Sequence, residues 1–340
     1  MAAKPSNATS LLVREGRIVA IDGQIGSAAA ERVVDAKGRT IMPGFVDAHT
    51  HLELTALALY TSLDCRPPAV KSIADIQHRL REAGEKTRPG RWIHAQGTLF
   101  QDRQMLEGRY PNRFDLDHAS TQHPIAFRSS FHVTILNSKG LEVAGINRDT
   151  PDPPGGGIER DAHGEPTGLT KDMHHLLGIP EPSAAEKRAA LDRCVREDFL
   201  ASGVTSLCEI SHSREGLMML RELDIKPRIG VYVHVPAIAN FREALSGLPQ
   251  LFNHNPSYQG IKLFIDGGTT AMAAAFHEPY VLDPSTRGSL AFEADLLAEM
   301  VREATDAGIQ LAMHAVGDRA QDTVLSSVKN IAPERVSAAR

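Results

Sequence analysis

His49 and His51 stand two residues apart at the end of the run Thr40-Ile41-Met42-Pro43-Gly44-Phe45-Val46-Asp47-Ala48-His49-Thr50-His51. Residues two apart on a strand share a face, so Asp47, His49 and His51 are expected to project together. Two imidazoles so placed can reach one cation at about 2.0–2.1 Å. They can equally be a pair of hydrogen-bonded polar residues. Lys262 lies inside Ile261-Lys262-Leu263-Phe264-Ile265-Asp266, which reads as a strand covered on both faces. An ammonium there is costly unless it is paired or chemically altered. One reading is a buried salt bridge to Asp266. The other is an amine carboxylated by CO₂, which turns a cation into a carboxylate-like group able to bridge two metals. His314 ends Leu311-Ala312-Met313-His314-Ala315-Val316, and Asp318 just beyond is placed to cap the next helix. A lone histidine on a buried strand is either a satisfied core residue or one more ligand. The fifteen histidines of the chain point to metal chemistry only if such positions converge.

The elements that must position these residues follow a rhythm. After residue 183 a helix at 184–201 leads to a strand at 203–210, a helix at 214–222 and a strand at 228–235. A helix at 238–246, a strand at 260–267, a helix at 293–307, a strand at 309–316 and a closing helix at 318–329 complete the series. Strands alternating with helices at this spacing predict a parallel sheet, with polar residues gathered where the strands end. Between residues 66 and 180 the chain is punctuated by Pro and Gly, as in Pro67-Pro68 and Pro151-Asp152-Pro153-Pro154-Gly155-Gly156-Gly157. It reads as an insertion with helices near 72–85 and 137–144 and strands near 92–98 and 124–128. Short β-type runs at 11–13, 17–21 and 32–35, with Glu15-Gly16 and Asp22-Gly23 as turn signals, predict a small antiparallel unit.

Composition narrows the function. Of 340 residues, Lys+Arg number 37 and Asp+Glu 42, a net charge of −5, with no basic run. Phosphate binding needs clustered Lys and Arg, so nucleic acid is excluded as the main partner and a small molecule is favoured. Met1 to Ser10 is polar, and no window reaches the roughly 18 apolar residues needed to span a bilayer. A cytoplasmic protein with no membrane partner is expected. The three cysteines, Cys65, Cys194 and Cys208, have no C-x-x-C spacing and give no disulfide framework. Cys208 sits at a strand end, but nothing near it in sequence would activate a thiolate, so a buried structural thiol is the reading.

Pro43-Gly44-Phe45-Val46-Asp47-Ala48-His49-Thr50-His51 resembles the first-strand signature of the amidohydrolase superfamily. The rest of the chain resembles its amidohydrolase 3 branch, the YtcJ-like metal-dependent hydrolases. The matching segments are Asn137-Ser138-Lys139-Gly140-Leu141, Pro154-Gly155-Gly156-Gly157-Ile158, Gly164-Glu165-Pro166-Thr167-Gly168, Lys262 with Asp266-Gly267, and His314-Ala315-Val316-Gly317-Asp318-Arg319-Ala320. They fall in the expected order from about residue 11 to 325. The resemblance implies an α/β fold, a (β/α)8 TIM-like barrel of the metal-dependent hydrolase type, with a β-sandwich from both chain ends. It also implies one or two divalent metal ions, commonly zinc. Carried over, His49 and His51 match the first-strand metal ligands, Lys262 the lysine that CO₂ carboxylates, and His314 the fifth-strand ligand. Lys262 and His314 are thereby the catalytic candidates. His132 and Asn137 correspond to polar positions of the insertion facing the substrate, and Asp47 is the candidate to orient the histidines. The implied reaction is attack of metal-activated water on the amide-like C–N bond of a small molecule.

The resemblance also implies a histidine after a sixth strand and an aspartate after an eighth. Past His314 this sequence has no histidine, and Asp318 and Asp322 lie in the next helix. The expected organisation is therefore a partial β-sandwich at 1–41, a first barrel unit at 42–65, an insertion at 66–180 and barrel units two to five at 181–340. About five of eight units are present, as in a truncated chain. Losing a general base costs about 10²–10⁴ in rate, so full activity is not expected of this chain alone. Two further readings remain open: a deaminase or cyclic-amide hydrolase on the same scaffold, and an inactive remnant that acts as a binding protein. Self-association into a homo-oligomer is compatible with all three.

Overall fold

The computed structural model describes residues 8–22, 30–129, 132–153, 156–235, 238–252, 254–269 and 272–329. The chain divides into two compact units, Met1–Pro43 and Gly44–Arg340. In the first, β1 (Leu11–Arg14) and β2 (Arg17–Ile21) form an antiparallel hairpin. Glu15 and Gly16 both take positive φ, 50° and 72°, as a two-residue turn of this hand requires. Residues 32–35 form no strand. Val33 and Val34 are 84% and 74% exposed, so their β-branched side chains find no packing partner to fix an extended run. Gly23 of the second turn signal lies outside the described residues.

The second unit opens with β3 (Phe45–Thr50) and α1 (Leu52–Tyr60). The segment that follows builds a sheet of its own. It contains β4 (Leu63–Asp64), α2 (Ile73–Lys86), β5 (Ile93–Gln96), α3 (Arg113–Asp117), β6 (Ile125–Arg128), β7 (Val133–Leu136), α4 (Ser138–Val143), β8 (Gly157–Arg160) and β9 (Pro166–Lys171). The strand order is β4-β5-β6-β7-β9-β8, parallel from β4 to β6 and antiparallel beyond. Capping boxes start α2 at Ser72 with Asp75 and α3 at Asn112 with Asp115. Ile73, Ile76 and Leu80 of α2 and Leu116 of α3 pack on Ile93, Ala95, Ile125, Phe127 and Ile135, which covers one face of this sheet.

The chain then returns to the first sheet. α5 (Ala184–Arg193) runs on as a π-helical segment, Cys194–Leu200, followed by β10 (Val204–Ser211), α6 (Arg214–Glu222) and β11 (Arg228–His234). Next come α7 (Ile238–Leu251), β12 (Ser257–Phe264), α8 (Ala294–Asp306), β13 (Gln310–His314) and α9 (Asp318–Val328). The five strands lie in the order β13-β12-β11-β10-β3, all parallel, as a curled half-barrel sheet. These are the five strands and crossover helices that the βα rhythm predicts.

Alternation along the strands sets the two faces. Leu207, Ile229 and Val231 bury against α1, α5 and α6. Ile261, Leu263 and Ile265 bury against Phe241, Leu297, Met300 and Val301 of α7 and α8. Residues at the alternate positions, among them His234, Lys262 and Phe264, are thereby turned to the other face. Because the strands are parallel, their C-terminal ends share one edge, and that edge carries the polar residues.

Candidate metal centre

The C-terminal edge of the sheet presents a row of rings. His49 and His51 have ring centroids 5.5 Å apart, His51 and His212 are 5.2 Å apart, and His212 and His234 are 4.8 Å apart. Phe264 continues the row, 4.9 Å from His234 and 4.9 Å from His314. Strand register accounts for this: His234 pairs with Lys262 across β11–β12, and Phe264 pairs with His314 across β12–β13. His51 Nδ1 lies 3.3 Å from the Ile210 carbonyl and 3.3 Å from His212 Nε2. His212 and His234 follow from strand ends that the sequence predicts, but neither belongs to a spaced motif, so only the folded register identifies them.

Burial works against the charged form of four of these rings. Burial is the main cause of a lowered pKa at His51, His212, His234 and His314, and the Lys262 charge lowers each further. His212 is pushed down to about 4. Lys262 is itself 4% exposed, and burial lowers its pKa too. Among the described residues no carboxylate lies within ion-pair distance of its Nζ, which sits 5.1 Å from the centre of the Phe264 ring. The salt bridge to Asp266 is therefore not formed.

Asp266 is otherwise engaged. Its carboxylate accepts N–H bonds from Ala275 (2.9 Å), Val316 (3.0 Å) and Gly317 (2.8 Å), and Oδ1 lies 4.0 Å from His314 Nε2. It thus ties the end of β12 to the backbone that follows β13, and with it the position of His314. Behind β3, Glu209 is 1% exposed and accepts the N–H groups of Leu52 and Glu53 at the start of α1. Burial pushes its pKa up to about 8. This buried carboxyl fixes the turn by which His51 enters the helix.

The remaining expected residues are placed as follows. Asp47 Oδ1 accepts the His49 N–H at 3.2 Å. The β3–β10 register slips between Leu207↔Asp47 and Glu209↔Thr50, so the simple alternation linking Asp47 to the two histidines is interrupted. Asn137 is fully buried. Its Oδ1 accepts from Ile125 and Gly140, and its Nδ2 donates to the carbonyls of Ser120 and His123, so the amide brackets the insertion from within. His132 Nδ1 bonds Asp172 Oδ1 at 2.5 Å. Burial pushes the Cys65 and Cys194 thiols up to about 12 and raises that of Cys208, so none is primed as a nucleophile.

Among the described residues no three His, Cys, Asp or Glu side chains are disposed to grip one ion. In kind, however, the donor set fits a divalent cation: several imidazoles on one edge, four of them with pKa values lowered by burial, and a buried amine with no carboxylate within ion-pair distance among the described residues. His51 in its present rotamer faces the Ile210 carbonyl.

The profile of the amidohydrolase family matches residues 32–336, and the chain belongs to that family. It is 29% identical over 322 residues to "Putative amidohydrolase YtcJ" of Bacillus subtilis (strain 168), which covers 91% of this chain and 59% of that protein. To the N-substituted formamide deformylase of Arthrobacter pascens it is 32% identical, over 65% of this chain and 42% of that one. The chain thus spans about three-fifths or less of the length of these curated relatives. The crystal structure of an uncharacterized metal-dependent hydrolase from Pyrococcus horikoshii OT3 superposes with a TM-score of 0.65 at 25% identity, covering 97% of this chain and 68% of that one.

Proposed function

We propose that the protein hydrolyses an amide-like C–N bond of a small molecule at the ring-lined edge, with N-substituted formamides as the first substrate class to examine. The observation that carries this reading is the row of histidine rings along the edge, with His234 in register beside Lys262, a buried amine with no carboxylate within ion-pair distance among the described residues. His49, His51, Lys262 and His314 would hold one or two divalent ions, with zinc as our assignment. Such an ion lowers the pKa of bound water toward neutrality and polarises a carbonyl.

The chain's own residues supply the rest. Lys262, whose pKa burial lowers, would add to CO₂ as its neutral amine: an N–C bond forms as one C=O π bond opens onto oxygen, the nitrogen proton passes to water, and the carbamate anion offers oxygen donors. Asp266 holds His314 in place through the backbone. Phe264 and His234 pack edge-to-face beside Lys262. Asp172 accepts from His132 Nδ1 and so holds the orientation of that ring.

The test is formate release from N-substituted formamides by the purified chain supplied with zinc and bicarbonate. Turnover that falls by at least about 10²-fold in His49→Asn and in Lys262→Ala supports the reading. Turnover that ignores both substitutions, or none on any amide, sinks it.

A further inference from the structure

His51 holds the N-cap position of α1 but does not cap it. Its imidazole makes no bond to the first-turn N–H groups; Nδ1 lies instead 3.3 Å from the Ile210 carbonyl and 3.3 Å from His212 Nε2. The open donors of Leu52 and Glu53 are answered from the neighbouring strand, by the carboxyl oxygens of buried Glu209. A second link runs the other way. Glu53, buried on α1, accepts the Ser213 hydroxyl at 2.7 Å through Oε1, and Ser213 Oγ accepts the Gly216 N–H at 2.8 Å as the cap of α6. Glycine at 216 makes room for this, since a β-carbon there would lie 2.2 Å from Glu53 Cδ and Oε2. Strand β10 thus holds the turn after His51, and α1 holds the turn after His212.

This arrangement works against stability. Two acidic side chains lie buried at one junction, and Glu53 Oε2 has no hydrogen-bond partner among the described residues. A well-packed apolar pair of similar volume would remove both costs. What the carboxyls supply is direction: each reaches across to the turn that follows a histidine of the ring row. The contacts of His51 then set its tautomer. A carbonyl oxygen only accepts, so Nδ1 must carry the proton to bond Ile210, and the His212 nitrogen facing it presents a lone pair. Nε2 of His51 is left as the unprotonated nitrogen, the one able to donate to a cation.

We propose that Glu209 and Glu53 are positioning residues: crossing between α1, β10 and α6, they hold His51 against His212 and the Ile210 carbonyl, so that His51 keeps its proton on Nδ1 and offers Nε2. The cation end of this inference rests on the metal-centre reading above; the tautomer does not. The test uses the metal-free full chain labelled with ¹⁵N-histidine at about pH 8, where imidazoles are neutral. Long-range ¹H–¹⁵N correlation spectra report which nitrogen of each ring is protonated, and His51→Gln and His212→Gln assign the two signals. The parent should show His51 protonated on Nδ1 alone. Glu209→Leu and Ser213→Ala should each release that ring to a mixture of tautomers, whereas Glu209→Gln, which keeps an acceptor for the α1 donors, should stay close to the parent. Ser213→Ala removes a single hydroxyl and keeps the test decisive if Glu209→Leu does not fold. In chelator competition, the zinc dissociation constant should rise about tenfold or more in Ser213→Ala and Glu209→Leu but not in Glu209→Gln. A parent His51 protonated on Nε2, a tautomer indifferent to Ser213→Ala and Glu209→Leu, or equal zinc affinity in parent and both variants would each overturn the proposal. A parent that shows the expected tautomers yet takes up no zinc would support the crossed clamp and sink the metal centre instead.

Discussion

Asp266 shows how much of the centre rests on one buried carboxylate. With its side chain fully buried, it answers three backbone N–H groups on two segments. Asp266→Ala leaves those donors without a partner, and urea unfolding should show a loss of about 1–3 kcal/mol or more. Asp266→Asn, which keeps an acceptor oxygen, should lose less, and equal losses would refute the clamp. His174 makes a separate prediction about acid. Its unfolded pKa is near 6.5 and its folded value about 4, so between these pH values the unfolded chain binds more protons. The stability held by the neutral ring is complete above pH about 6.5 and is lost as pH falls through about 4. His174→Gln should flatten part of that decline in chemical denaturation between pH 7 and 4. An unchanged slope would mean that His174 titrates normally. As candidates, Asp47, His49, His51, Lys262 and His314 were legible in the sequence, the first three by spacing on one strand, Lys262 by the cost of a charge on an apolar strand and His314 by its place at a strand end, while their roles came from the family resemblance. His212 and His234 were not, because only lateral register makes them neighbours of His51 and Lys262.

At the scale of elements, legibility followed length and capping. Helix α6 starts from the Ser213 side-chain cap on the Gly216 N–H, whereas the cap expected of Asp318 is not formed, because Asp318 is the first residue of α9 and Gly317 takes the N-cap position; β10 to β13 are apolar runs with clear ends. The insertion was harder. Strands β7 and β8 have four residues each, and turn-rich sequence surrounds them, so their pairing depends on partners far along the chain. The segment Gly164-Glu165-Pro166-Thr167-Gly168 acquires a physical reason there. Gly164 turns the β8–β9 hairpin at φ 82°, and Gly168 sits at φ 100° with its α-carbon close to the Leu136 carbonyl. A side chain at Gly168 would meet both the disfavoured φ and that backbone. Gly168→Ala is therefore expected to destabilise the chain by about 1–3 kcal/mol in thermal or urea unfolding. A neutral result would show that β7 and β9 are not packed as described.

At the scale of the molecule, a parallel five-stranded sheet brings residues from opposite ends of the chain to one edge, from His49 to His314. Among the described residues no helix is long and apolar enough to cross a membrane. The family membership and the ring-lined edge together motivate the proposed metal centre. Metal content is the property that joins them, and it is independent of the choice of substrate. The purified chain, loaded with zinc and then dialysed, should retain the metal stoichiometrically by inductively coupled plasma mass spectrometry. The double variant His49→Asn/His51→Asn, shown by circular dichroism to be folded, should retain little. Equal zinc in parent and variant, or none in the parent, would contradict a metal centre built on these histidines.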